Sequence, residues 1–436
     1  MTPNRPRISP PTPGTRQWIA LLAIVIWAPA WLEAAPLRVG IAAVDITPAE
    51  PVQMSGYASR KDLSQSVHDP LSARVTALEA GERRLVLVST DILGFYDGTA
   101  DDFRRAICEK HDLAPAQLLL CATHTHSAPT PTLDPDKGHE NNVRYTRQLR
   151  DRLIDAVGKA LSELAPAKMG VGVGHCPIGS NRRQRVSDAQ GNSQIRLGRN
   201  PYGPTDKQVI VLKIAAADKP TAILFNYATH ATSLGPGNYA ISGDVIGLAE
   251  QFVERIYGAG LMAPAFAGAS GDIDPWFRVL PKFDEREGWI PEPVLLGTFL
   301  GEEVVHVAER VNPSVDDVAI ASAFACLELP GKASGTVEAA QDHPPTTLNL
   351  TIARIGEIAI VGLGGEVLTE IGMAIKEASP FAHTLIITHC NGAAGYLPPK
   401  DLYPEGGYEI QTSRFAPDAA EIVIKRAVEM LHTLKP

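Results

Sequence analysis

Apolar residues along the chain follow two periods. Short runs rich in Val, Ile and Leu fall at 37–44, 73–78, 85–89, 118–122, 207–215, 221–226, 262–266, 348–355, 357–362 and 384–388. Their length and β-branched content predict strands. Longer stretches between them repeat every 3.6 residues. Over 143–164, Leu149, Leu153, Val157, Leu161 and Leu164 form one stripe with Arg and Asp opposite, and Pro166 ends the predicted helix. Further helices are predicted over 245–256, 297–311, 367–377 and 417–434. Gly356 predicts the tight turn of a hairpin between 348–355 and 357–362. Strands interleaved with helices predict an α/β fold, with α+β as the alternative, and a mixed β-sheet core flanked by helices. No internal repeat is visible. The polar segment 330–347 reads as a surface connection. The loop 274–293 carries Trp276, Phe277, Phe283 and Trp289, which either line a cleft or pack on the domain.

The first 35 residues are of a different kind. Arg5, Arg7 and Arg16 precede an apolar stretch from Trp18 to Leu32, followed by Glu33, Ala34 and Ala35. This pattern predicts an export signal, 1–35, cleaved near Ala34 and leaving 36–436 as one domain in a secreted or periplasmic protein. The stretch is short for a membrane span and contains Pro29. With 436 residues and a formal charge of −9, the chain lacks the basic balance of a nucleic-acid-binding surface. The five cysteines (108, 121, 176, 326 and 390) contain no Cys-x-x-Cys pair, and their odd number leaves at least one thiol unpaired. No bridge is assigned from spacing.

Candidate chemistry sits at the ends of apolar runs. The run 118–122 feeds into His124-Thr-His126, whose alternation points both imidazoles to one face. Such a pair begins a metal site, or else bonds to loop carbonyls. His230 follows the predicted strand 221–226. Glu366 follows an apolar run and a glycine turn, and by itself also suits a helix start. Tyr396 follows another strand and a Gly/Ala-rich turn. In α/β sheets strand ends converge on a ligand crevice. Convergence of His124, His230, Glu366 and Tyr396 would give an N2O2 set suited to Zn²⁺, with Mn²⁺ or Fe²⁺ as other occupants of a mixed N/O site.

These residues carry a resemblance. The sequence is similar to the neutral/alkaline non-lysosomal ceramidase family in its zinc-binding N-terminal domain. The matching stretches are 40–48, 54–58, 68–74, Thr123-His-Thr-His-Ser127, Asn181-Arg182, 226–233, Ile241-Ser-Gly-Asp244, Gly271-Asp272, Gly365-Glu366 and the Tyr396/Tyr408 pair. The resemblance implies a ceramidase-like catalytic domain in which His124, His230, Glu366 and Tyr396 bind zinc. It leaves His126 unligated and facing substrate, and makes Arg182 and Tyr408 polar contacts for the scissile amide, with His68 as a further lining residue. Asp45 and Asp244 read as structural carboxylates. Two departures stand out. Asp274 occupies the place of a family serine, with Ser270 nearby but out of register. The family also adds an immunoglobulin-like C-terminal domain, for which no room remains before Pro436, so the chain reads as a short member.

The implied activity is an exported zinc amidohydrolase acting on a small-molecule or lipid-like N-acyl substrate, with peripheral membrane contact for substrate access and no nucleic-acid partner. Metal-activated water needs no serine. Asp274 would accept its proton, and His126, Arg182 or Tyr408 would stabilise the oxyanion. The alternatives are hydrolysis of an ester or other linkage on the same scaffold, and a non-catalytic binding protein stabilised by metal. Sequence gives no oligomeric state. A nucleophile elbow is excluded because Asp272 follows Gly268-Ala-Ser-Gly.

Overall fold

The run Leu118–Ala122 is buried along its whole length, as is most of Arg83–Thr90. Strands that meet no water on either face must be covered above and below. In the computed structural model, which describes residues 34–216, 219–276, 292–333 and 343–435, two mixed sheets meet that requirement by packing on each other. The larger runs in the order Ala265–Ala267, Lys219–Tyr227, Gln208–Ala216, Ala165–His175, Ala35–Asp45, Ser72–Ala80, Arg83–Thr90, Leu118–Ala122. The smaller runs Ile320–Leu329, Thr346–Ile355, Ile358–Leu363, His383–Ile387. Leu119, Leu212, Leu224 and Phe266 of the first meet Ile320, Ile355, Ile360 and Leu385 of the second in one core.

Helices cover the outer faces. Thr99–His111 and Glu140–Ser162 bury Phe103, Ile107, Leu149, Leu153 and Val157 against one half of the larger sheet. Asp244–Tyr257 and Glu292–Arg310 cover the other half through Val245, Ala249, Val253, Leu300 and Val304. Thr369–Ala378 and Ala419–Leu434 close the smaller sheet with Ile371, Ile375, Val423 and Leu431. The architecture is thus α/β in four layers. The mixed sheet expected from sequence is two sheets face to face.

Several boundaries differ from the periodicity for identifiable reasons. The helix predicted over 367–377 begins at Thr369, because Glu366–Val367 pairs as a short strand with Tyr396–Leu397. The helix predicted over 143–164 is Glu140–Ser162. It starts where the His139 ring accepts the Asn141 N–H, and Pro166 belongs to the next strand. That strand, Ala165–His175, was not predicted. Its glycines look like breakers in sequence. A Cβ at Gly172 would come within 2.6 Å of Val311, so the glycines admit the helix Glu292–Arg310. Residues 1–33 of the expected export signal, all but Trp276 of the aromatic loop residues, and the middle of 330–347 lie outside the described residues, while Ala35, expected within the signal, begins the first strand.

Candidate metal centre

Three parallel pairings aim their strand ends at one edge. They are Arg83–Thr90 with Leu118–Ala122, Lys219–Tyr227 with Ala265–Ala267, and Ile358–Leu363 with His383–Ile387. Parallel strands end at the same side, so within each pair the following loops are neighbours, and contacts between loops join the pairs. A bridge between Thr125 and Ala231 ties the two histidine loops together. Glu366 and Tyr396 are register partners across their short parallel pair.

His124 has φ +64°, a left-handed conformation that costs a non-glycine residue about 1–3 kcal/mol. The surroundings enforce it. Its N–H donates to Ile92 O at 3.0 Å and its Nδ1–H to Leu93 O at 2.7 Å. His230 is held in the same way, with Nδ1–H donating to Ser270 O at 2.7 Å. A carbonyl can only accept, so both rings carry the proton on Nδ1 and turn the Nε2 lone pair into the site. Glu366 Oε2 stands 3.5 Å from His124 Nε2 and 3.7 Å from His230 Nε2. It is buried and accepts no hydrogen bond. Ligand atoms about 2.0–2.2 Å from a tetrahedral zinc are separated by about 3.4 Å, so this spacing fits a shared cation.

His126 Nε2 lies 3.4 Å from His124 Nε2, and the ring nitrogens of His124, His126 and His230 fall within 4.8 Å of one another. His126 is therefore close enough to contribute to a metal set. It differs from the other two in that its Nδ1 has no hydrogen-bond partner, so nothing fixes its tautomer. Its ring fills the space over Gly56 (φ +93°), where a Cβ would come within 2.4 Å of Nδ1. Burial, and then the neighbouring imidazoles, push His126 well below its ordinary value and keep it neutral.

Arg182 reaches the same point from the polar three-stranded sheet Ile273–Pro275, Gly179–Ser187, Ser193–Asn200. Its guanidinium is buried and divided among four partners. Nε donates to Glu409 at 2.7 Å, one terminal nitrogen sits 3.2 Å from Asp274 Oδ1 and 3.4 Å from His230 Nε2, and the other donates to Tyr396 OH at 3.1 Å. Burial opposes its charge, but Tyr396, Asp274 and Glu409 raise it well above the ordinary arginine value. Tyr408 packs edge-on against Tyr396 with ring centroids 5.6 Å apart and is partly exposed. The eight residues expected as metal ligands or catalytic groups thus gather at one edge. His68 does not join them; it pairs with Asp69 at 2.6 Å. Asp45 caps Thr47 N–H, and Asp244 accepts the N–H groups of Ser233 and Leu234, fixing the loop after His230.

Three participants escaped sequence reading. His389 stacks on His124 with centroids 3.7 Å apart. Tyr96 places its phenol beside Glu366; burial and that carboxylate raise it well above the ordinary tyrosine value. Glu409, fully buried, bridges Arg182 and Arg183. None lies in a motif, although the Thr-His389 at a strand end echoes the segment at His124.

The profile of the neutral/alkaline non-lysosomal ceramidase family, N-terminal domain, matches residues 37–273. Neutral ceramidase of Oryza sativa subsp. japonica is 28% identical over 247 residues, 54% of this chain and 31% of that protein. Neutral ceramidase of Pseudomonas aeruginosa is 25% identical over 283 residues, 60% of this chain and 41% of that protein. The matches thus span less than half of these relatives. The crystal structure of neutral ceramidase from Pseudomonas aeruginosa superposes with a TM-score of 0.74 at 19% identity, covering 92% of this chain and 74% of that one. This likeness is one of fold.

Proposed function

Since the chain belongs to the neutral/alkaline non-lysosomal ceramidase family, we propose that it is an exported zinc hydrolase cleaving the amide of a ceramide or related N-acyl lipid. The observation that carries this reading is the buried Glu366 oxygen without a donor, facing two imidazole nitrogens whose lone pairs are turned towards it. The donor set is imidazole, carboxylate and phenol without cysteine, which suits a reactive rather than a closed structural zinc site. His124, His230, Glu366 and Tyr396 would hold the ion, and His126 faces the substrate. Zinc supplies Lewis acidity and lowers the pKa of water towards about 7.

The chain's own residues do the rest. Arg182 and Tyr408 donate to the carbonyl oxygen as negative charge develops on it. Asp274 takes up the proton of the attacking water and returns it to the leaving amine. Its pairing with Arg182 does not exhaust a carboxylate, which offers about four acceptor positions. An acid where the family has a serine also favours a second reading, hydrolysis of an ester or another linkage on the same scaffold. Export rests on residues 1–35, and lipid substrates imply access from a membrane surface.

The test is metal analysis of the purified chain, followed by a screen of ceramide, other N-acyl amides and esters with and without chelator. One zinc per chain and amide hydrolysis lost to chelator and restored by Zn²⁺ are expected; ester-only turnover selects the second reading. A metal-loaded chain inert towards all of them leaves a binding protein and overturns the proposal. Asp274→Asn is expected to lower turnover about 10²–10⁴-fold with zinc retained, and unchanged turnover removes its role.

A further inference from the structure

Cys121 and Cys390 face each other across an isolated antiparallel bridge between the strand Leu118–Ala122 and the turn after His383–Ile387. The hydrogen bonds define which kind of pair this is. Ala122 N–H donates to His389 O at 3.3 Å, and Asn391 N–H to Leu120 O at 2.8 Å. These bonds flank the two cysteines rather than join them, so the cysteines form a non-hydrogen-bonded pair. Such pairs bring their Cα atoms to about 4.5 Å and their side chains to the same face. That separation lies inside the range of about 4.4–6.8 Å that a disulfide spans.

The surroundings hold the pair in place. Asn391, at φ +59°, accepts Leu120 N–H at 2.9 Å through Oδ1 and donates through Nδ2 to Leu118 O at 2.8 Å. The Cys390 sulfur occupies a notch left by Gly362, where a Cβ would come within 2.6 Å of it. Both cysteines are buried, and both are thiols in this structure. Burial, and then contact with the Cys390 thiol, push the Cys121 thiol well above its ordinary value.

We propose that Cys121 and Cys390 are a disulfide site, closed by a small or protein disulfide as the chain folds, that staples the strand leading to His124 to the turn carrying His389. The exchange balances in two steps. The thiolate of one cysteine attacks the oxidant's S–S bond, giving a mixed disulfide and one thiol. The second thiolate, having lost its proton to water, displaces the oxidant's remaining thiol and forms the Cys121–Cys390 bond. The two cysteines are oxidised and the oxidant is reduced to two thiols. The bridge would join the two sheets beside the metal ligands, and it stands whatever the substrate is.

The full chain, refolded with reduced and oxidised glutathione, is denatured in iodoacetamide and digested without reductant. The expected product in most molecules is a peptide pair joined through Cys121 and Cys390, with Cys108, Cys176 and Cys326 alkylated. As a second measurement that needs no refolding, native chain produced in an oxidising compartment is expected to be two hydrogens lighter in mass than chain produced in a reducing one. Reduction is expected to lower Tm by about 5 °C, and Cys121→Ala to abolish that difference. Separately alkylated Cys121 and Cys390 in both preparations, or either one joined to another cysteine or to glutathione, overturns the proposal.

Discussion

Two buried arginines anchor the molecule, and they are wired differently. Arg74 gives every direction of its guanidinium to carboxylates: Glu250 at 2.5 Å, Glu254 at 2.7 and 3.0 Å, and Asp91 at 3.4 Å. Glu250 in turn accepts Ala265 N–H, and Asp91 accepts Ser72 N–H, so the cluster knits strands to the helix Asp244–Tyr257. Arg182 has two carboxylate partners and spends its other contacts on Tyr396 and the His230 ring. Equal burial thus serves opposite ends. Arg74 is enclosed by acids and holds elements together, whereas Arg182 keeps a donor surface turned towards the chemistry.

The largest effect that separates them is expected from Arg74→Met. It leaves Asp91, Glu250 and Glu254 without their cation and is expected to cost about 3–5 kcal/mol of stability in urea unfolding, with turnover per folded molecule unchanged. Asp91 and Glu250 are raised by burial even with Arg74 present, so the folded chain holds protons there that the unfolded chain has released. Their contribution is full below the ordinary carboxylate range and declines as pH rises through their raised values. Unfolding at lower pH is therefore expected to shrink the deficit of the variant. Arg182→Lys comes next, with turnover down about 10²-fold and zinc content unchanged. A lysine cannot reproduce the fork that serves Glu409, Asp274 and Tyr396 together. The smallest effect is expected from Glu254→Gln, about 1 kcal/mol in unfolding and none in turnover, because that carboxylate is 26% exposed. Loss of turnover in Arg74→Met, with stability restored by cosolvent, would erase the distinction.

Much of this was legible in the chain. Buried strands such as Leu118–Ala122 declare themselves through unbroken apolar runs, and His124, His230, Glu366 and Tyr396 through their place at run ends, whereas Arg182, Asp274 and Tyr408 came only with the family resemblance. What periodicity could not reveal is which strands share a sheet, because both sheets are covered on both faces and read alike. Helix Thr99–His111 was hidden by its charge, since Phe103 and Ile107 are its only large buried apolar residues. The hairpin Gly179–Ser187 with Ser193–Asn200 was hidden by its polar composition: Ser180, Asn181, Arg182 and Arg183 are buried without being apolar, and most of the rest is exposed. Glu409 and Tyr96 were invisible for another reason. Each is defined by what it touches, Arg182 or Glu366, across hundreds of residues. The family profile ends at residue 273, so Glu366, Tyr396 and Tyr408 are placed with the histidines by the fold rather than by that match.

The four proposed ligands are split evenly between the sheets: His124 and His230 extend from the larger one, Glu366 and Tyr396 from the smaller and its margin. The quartet is therefore a gauge of how the two slabs sit on each other. A slip of one residue along a strand is about 3.3 Å, nearly the whole distance between the Glu366 oxygen and His124 Nε2. Trimming a greasy contact such as Phe266 or Ile360, with no polar atom altered, would then detune the centre from a distance.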